Sequence, residues 1–290
     1  MNNAALYARA NLLQRRNAED VIREFFHLVK WSPDGGDSIL DIGCGDGGVM
    51  INVLQKHLPK NFGKLVGSDL SSKMIEYANT IYGSSKIEFR VMDLISQLKV
   101  DDKGNYNHLF SFNCLHWVQD QRSAIRNINA LLKAGGSCVL SFVAKSDIFN
   151  VYKTLAANPR WTSYMQDFAK YISPYQYSSN PEEEFANLMF ESDFKNIHVK
   201  SKENIFHFDE IQKFRVGPAT KFSAGRTVGR TNYRRTNCRW TNCRRTNCRV
   251  TIVYILRGRA NNKSSKFHPN RMNGMAVRKI RTNKQTNIDF

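Results

Sequence analysis

An α/β fold with a mostly parallel sheet flanked by helices is predicted for residues 1–214, and three observations predict it. Short apolar runs alternate with amphipathic stretches at the spacing of βαβ units. The first run ends in a glycine-rich turn, Gly43-Cys44-Gly45-Asp46-Gly47-Gly48. Later runs end at Asp69, Asp93 and Asn113, polar residues at the carboxyl ends of strands, where such sheets bind ligands.

Taken in order, Asn17 reads as the opening of a helix, with Glu19 and Asp20 in its first turn to complement the helix dipole. Val21, Phe25 and Leu28 follow at helical spacing. Ser38–Ile42 is the first strand, residues 49–58 a helix and 64–70 the second strand. Ser71 caps a helix whose apolar face is Met74, Ala78 and Ile81. Residues 87–94 form the third strand, and 108–118 begin as the fourth. Asp120 precedes a helix with Ala124, Ile125, Ile128, Leu131 and Leu132 on one stripe. Gly135-Gly136 stops it, and 137–143 is the fifth strand. An aromatic stretch follows: Phe149, Tyr152, Trp161, Tyr164, Phe168, Tyr171, Tyr175 and Tyr177. Pro181 with Glu182, Glu183 and Glu184 opens another helix, with Phe185, Leu188 and Met189 on its apolar side. Phe194–Phe208 reads as a strand or a strand pair.

Charge divides the chain of 290 residues in two. Residues 215–290 hold 19 of the 43 Lys and Arg but only one acid, Asp289, so this segment carries the whole net charge of +18 and the rest is neutral. Within it, residues 230–249 repeat a five-residue unit, Arg-Thr-Asn-Cys-Arg and close variants. A period of five matches neither helix nor strand, so the segment is expected to be a disordered basic tail with one possible strand at 250–256. Any contact with nucleic acid or an anionic surface is expected there. Cys238, Cys243 and Cys248 recur every five residues, which is not zinc-site spacing, and no metal is expected. Cys44, Cys114 and Cys138 lie in apolar runs and read as buried thiols of a reducing compartment. The first residues lack the apolar core of a secretory signal, and no run is long enough to span a membrane, so a cytoplasmic location is expected.

The glycine turn, with glycines at 43, 45 and 48 between a strand and a helix, fits a Rossmann-like ligand fingerprint. Asp41 and Asp46 decide the ligand class. Two carboxylates would repel a pyrophosphate, but they suit the sulfonium and ammonium of S-adenosylmethionine. Gly43 and Gly45 then let the backbone approach the amino-acid end. Asp69, with Leu70 beside it, is placed to accept from ribose hydroxyls. Asp93 is placed to accept from an adenine amino group, with Met92 and Leu94 packing on the ring. The alternative for Asp69 and Asp93 is that they cap the following turns. Residues 113–118, Asn-Cys-Leu-His-Trp-Val, follow the fourth strand, where the reacting group would lie. His116 is read as a histidine in a turn rather than a base, and Trp117 offers an uncharged indole donor.

The opening Met1-Asn2-Asn3-Ala4, Tyr7 and Leu13-Gln14-Arg15-Arg16-Asn17-Ala18, the turn at 40–45, and the segment at 110–121 around Leu115-His116-Trp117 together resemble the insect juvenile hormone acid O-methyltransferases, from residue 1 to about 214. The resemblance implies a class I methyltransferase that uses S-adenosylmethionine to methylate the carboxyl group of farnesoic acid or juvenile hormone acid. It places the substrate-carboxylate contacts on Gln14 and Trp117. A carboxylate is already ionised at neutral pH, so orientation by neutral donors suffices and no base is needed. The aromatics of 149–177 would line an isoprenoid slot, or simply pack as a cap. The chain departs from the family after 208, where the basic repeat replaces a helical segment and a last strand; 250–256 is the candidate substitute for that strand. Two other readings are a methyltransferase for another small acid and a non-catalytic protein recruited to nucleic acid by its tail.

Overall fold

A computed structural model describes residues 4–208 and 246–259. The expectations for 215–245 and 260–290 lie outside the described residues.

Among the described residues, seven strands form one sheet in the order β3-β2-β1-β4-β5-β7-β6. These are β1 (Ser38–Ile42), β2 (Lys64–Asp69), β3 (Ile87–Val91), β4 (Tyr106–Phe112), β5 (Leu132–Ser146), β6 (Phe194–Phe208) and β7 (Thr246–Arg259). The first five run parallel. β7 is antiparallel to both β5 and β6, so β6 runs in the direction of β5. The central strands are buried on both faces, which is why β1 and β4 read as continuous apolar runs rather than alternating ones. Ile39 joins the core on one face and Leu40 the core on the other.

The helices are α1 (Ala4–Ala10), α2 (Leu12–Phe25), α3 (Ser72–Tyr82), α4 (Gln121–Leu131), α5 (Asp147–Ala157) and α6 (Pro181–Glu191). Ala18, Val21 and Ile22 of α2 share one core with Ile75 of α3 and Phe149 of α5. Ala124, Ile125 and Ile128 of α4 share the other with Phe185 and Met189 of α6. Ser71, Asp120 and Asn180 each accept a hydrogen bond from a first-turn amide of the helix they precede.

Several sequence expectations shift. Asn17 does not open its helix: α2 starts five residues earlier, and α1 precedes it. Asn17 is 1% exposed and donates to the side chain of Asn113 at 2.9 Å, a tertiary bond with no local sequence mark. The expected helix at 49–58 is a π-type segment, Met50–Leu54, followed by a tighter turn, Gln55–His57. On α3, Ile75 joins Met74 and Ala78 inside and Ile81 is exposed. The fifth strand begins at Leu132, ahead of Gly135-Gly136, with a register irregularity against β4 between Tyr106 and His108. Cys44 and Cys138 are buried, whereas Cys114 is half-buried.

The strand expected at 250–256 is β7, and it is longer, from Thr246 to Arg259. Its start lies in the last copy of the five-residue repeat. It occupies an interior position, with Leu256 opposite Val139 of β5 and His198 of β6. A proline there removes a ladder donor from a strand paired on both sides. Ile255, opposite Leu140 and Val199, is a suitable position. Ile255→Pro should cost about 3 kcal/mol or more, read as a thermal midpoint lower by roughly 6–12 °C. An unchanged midpoint would contradict this placement of β7.

Candidate functional site

The carboxyl ends of β1, β2 and β4 meet at the glycine turn, and β3 ends beside β2, where the Met92 amide donates to Asp69 O at 3.0 Å. At the end of β1, Asp41 is 2% exposed, and its Oδ1 is buried with no hydrogen-bond partner among the described residues. Burial, and then the Asp69 carboxylate, push its pKa well above the usual carboxylate range. A buried carboxyl oxygen left unpartnered is costly, and a cationic ligand would relieve that cost.

The turn itself folds back tightly. Gly43 has φ +73°, and a Cβ there would lie 2.3 Å from Cys114 Sγ and 2.4 Å from Cys114 Cβ. Only glycine permits both the left-handed backbone and this approach to the segment after β4. Gly45 has φ +58°, and the Tyr7 ring lies 3.2 Å from where its Cβ would be. Turn amides are spent internally. Gly43 and Cys44 donate to Ser68 O at 2.7 and 2.9 Å, Gly47 donates to Cys44 O at 3.0 Å, and Gly45 donates to Asp69 Oδ2 at 3.0 Å.

Asp69 also accepts from the Ser71 amide at 2.9 Å through Oδ1. Asp93 accepts from the Ile95 amide at 3.1 Å and from Ser96 Oγ at 2.8 Å. Both acids therefore cap their turns, and each carboxylate keeps lone pairs for a further donor. Leu70 is 69% exposed, Leu94 is 6% exposed and part of the core, and Met92 is half-buried. Asp46, read from sequence as a ligand-facing charge, is 1% exposed and engaged by the protein. It accepts from the Gly48 amide at 3.2 Å and from Asn11 Nδ2 at 3.5 Å, and the Arg15 guanidinium offsets its charge.

After β4, Asn113 adopts φ +55°. Its amide donates to Ser141 O at 2.8 Å, and its Oδ1 accepts from Asn17. Its Nδ2 lies 3.5 Å from the backbone oxygen of Gln14, so the carboxyl end of β4 is tied to α2. Gln14 is half-buried, and its Oε1 has no partner among the described residues. Trp117 sits in the turn Leu115–Trp117, half-buried, with its ring edge-on to Phe149 at 6.3 Å. His116 is 4% exposed, and its Nδ1 accepts from the Val143 amide at 3.4 Å, which fits a turn histidine. The aromatic stretch divides. Phe149 and Tyr152 pack in the core that Trp117, Trp161, Phe168 and Tyr171 abut. Tyr175 packs on the opposite face with Phe142 and Phe185, and Tyr164 and Tyr177 are each 63% exposed.

Sequence reasoning missed the cover over the turn. Tyr7 on α1, Asn11 between the helices and Arg15 on α2 recur every four residues, and the Arg15 amide donates to Asn11 O at 3.0 Å, so the helical spacing runs across the break. That spacing is visible in the sequence, but the cap-like composition of Asn17 masks the helical turns before it.

Comparison with known proteins agrees with this geometry. Residues 11–199 match the family described as "Methyltransferase domain". Juvenile hormone acid O-methyltransferase of Bombyx mori is 40% identical over 211 residues, 73% of this chain and 75% of the relative. The protein of that name in Drosophila melanogaster is 38% identical over 218 residues, 74% of this chain and 73% of the relative. The chain belongs to the juvenile hormone acid O-methyltransferase family. Solved structures share the fold at low identity. One is the YcgJ protein of Bacillus subtilis, with TM-score 0.55, 13% identity, and 83% of this chain matched to 99% of that one. Another is Haemonchus contortus phosphoethanolamine N-methyltransferase 2 in complex with phosphomonomethylethanolamine and S-adenosylhomocysteine, with TM-score 0.53, 13% identity, and 89% of this chain matched to 57% of that one.

Gly36 also has a positive φ, +75°, but open space around it. Gly43→Ala should therefore cost about 2 kcal/mol more than Gly36→Ala in urea unfolding; equal costs would mean that the contact with Cys114 yields freely. For Asp41, a raised folded-state pKa means that the folded chain holds a proton more tightly than the unfolded chain. The associated stability is complete below the unfolded value of about 3.9 and is lost as pH rises through the raised folded value. Ligand-free Asp41→Asn should accordingly be more stable than the parent at pH 8, with the difference closing toward pH 4. A constant difference across that range would remove Asp41 as the titrating group.

Proposed function

We propose that the chain transfers a methyl group from S-adenosylmethionine to the carboxyl group of juvenile hormone acid or farnesoic acid, in the cytoplasm. The observation that carries the substrate class is the 38–40% identity, across about three-quarters of both chains, to the two insect relatives of that name. The observation that supports the cofactor is the unpartnered Asp41 carboxyl oxygen beneath the glycine turn.

S-Adenosylmethionine, when bound, supplies an electrophilic methyl on a sulfonium sulfur. Asp41 would accept from its ammonium, and Gly43 and Gly45 would give the backbone room to approach its amino-acid end. Asp69 would accept from ribose hydroxyls beside Leu70. Asp93 would accept from the adenine amino group, with Met92 and Leu94 beside the ring and Asn113 bordering the reacting end. Gln14 and Trp117 would hold the acceptor carboxylate through neutral donors, the amide NH₂ and the indole N–H. Neutral donors orient a carboxylate while leaving its nucleophilic charge in place; Lys or Arg would neutralise it. His116, buried and bonded to the Val143 amide, takes no part. Phe149 and the half-buried aromatics near Trp117 would receive an apolar isoprenoid tail.

We take the catalytic unit to be residues 1–214 with β7 added, since β7 lies inside the sheet. The remaining basic sequence supports a separable reading as a contact for nucleic acid or an anionic surface, because 215–290 outside β7 holds 16 Lys and Arg against one acid. Among the described residues, no helix is long and apolar enough to cross a membrane.

The test uses full-length protein with labelled S-adenosylmethionine and two acceptors, farnesoic acid and farnesol. Label is expected in the acid's ester and not in the alcohol. Trp117→Ala should lower kcat/KM for the acid roughly 10- to 100-fold while leaving S-adenosylhomocysteine affinity intact. Transfer to neither acceptor by protein that binds S-adenosylhomocysteine would point to another acid as substrate. Equal loss of turnover and cofactor affinity in the variant would make Trp117 structural.

A further inference from the structure

The amino-acid end of the cofactor is a zwitterion, so the site must offer an acceptor for the ammonium and a donor for the carboxylate. Asp41 answers the first need. The second is not met by the glycine turn, because the amides of Gly43, Cys44, Gly45, Gly47 and Gly48 are already bonded to Ser68, Asp69, Cys44 and Asp46. Asp46 and Asp69 also place negative charge beside the turn, which disfavours a carboxylate unless a cation lies close by.

One cation lies there. Of the arginines on α1 and α2, Arg9, Arg16 and Arg23 are exposed, and Arg15 is half-buried. Arg15 Nη2 is 3.4 Å from the position that a Cβ on Gly48 would occupy. Its charge acts on Asp46, yet its Nε is buried with no hydrogen-bond partner among the described residues. A buried guanidinium N–H left unpartnered is a donor in want of an acceptor, and the guanidinium fork matches carboxylate geometry. Asn11 donates to both Asp46 carboxylate oxygens at 3.5 Å, and Asp46 lies close enough for the Arg15 charge to act on it.

We propose that Arg15 receives the carboxylate of the cofactor's amino-acid end, beside the opposite charge of Asp46, while Asp41 receives the ammonium. This rests on the cofactor reading above and adds a residue to it. It also gives neighbouring residues of α2 different tasks: Gln14 faces the acceptor acid and Arg15 the cofactor.

Calorimetry on the full-length protein tests it with two probes, S-adenosylhomocysteine and S-adenosyl-3-thiopropylamine, which is the same molecule without its carboxylate. The parent protein should prefer S-adenosylhomocysteine by roughly 10- to 100-fold. Arg15→Gln should erase that preference by weakening S-adenosylhomocysteine alone, and binding of the amine then also reports that the variant is folded. Arg15→Lys should retain part of the preference. Parent protein that binds both probes equally would overturn the proposal without recourse to a variant, as would an Arg15→Gln protein that keeps the full preference. Parent protein that binds neither probe would instead overturn the cofactor reading, and the proposal with it.

Discussion

Asp41 is a carboxylate at the floor of the glycine turn, buried with one oxygen unpartnered and with Asp69 close enough to raise its pKa further. In the absence of ligand this arrangement stores electrostatic cost. It persists because the surroundings over-determine it. Backbone bonds to Ser68 and the Asp69 side chain fix the turn, and Cys114 packs into the space that a side chain on Gly43 would fill. Remove the need for a cation at Asp41 and there is little reason for Gly43 to stand against Cys114, or for Tyr7 to close over Gly45. The fold stabilises a site that is itself destabilised, as is common where binding is the task.

The same economy governs the rest of the sheet. β5 and β6 run in the same direction and cannot be joined by a hairpin, so an antiparallel strand between them completes the layer. β7 fills that position from within a segment whose composition otherwise looks unlike a globular domain. Strand pairing needs backbone donors and acceptors, and the run from Val250 to Leu256 needs only β propensity to supply them.

The parallel core was legible in the sequence because strands buried on both faces demand apolar runs, and because Ser71 and Asp120 are caps with local chemistry. The positions after β1, β2, β3 and β4 were legible for the same reason: topology alone sends ligands there. The start of α2 was not, because Asn17 has the composition of a cap and is used instead to bind Asn113, 96 residues away. Asp46 was misread in part for a similar reason. Its charge is visible in the sequence, but its engagement by Gly48, Asn11 and Arg15 depends on α1 and α2 folding over the turn. The division of the aromatic stretch between the two faces of the sheet was invisible, since periodicity there is broken by short turns at Thr162–Tyr164 and Phe168–Tyr171.

Asp41 waits for a cation carried by a nucleoside cofactor. Titration of full-length protein with S-adenosylhomocysteine, in two buffers of different ionisation enthalpy, tests it directly, because pairing with an ammonium returns Asp41 to its ionised form and releases its proton. Proton release by the parent protein near the raised pKa of Asp41, and none by Asp41→Asn, is the predicted result. Binding with the same proton count in both proteins, or no binding to the parent protein, would contradict the account.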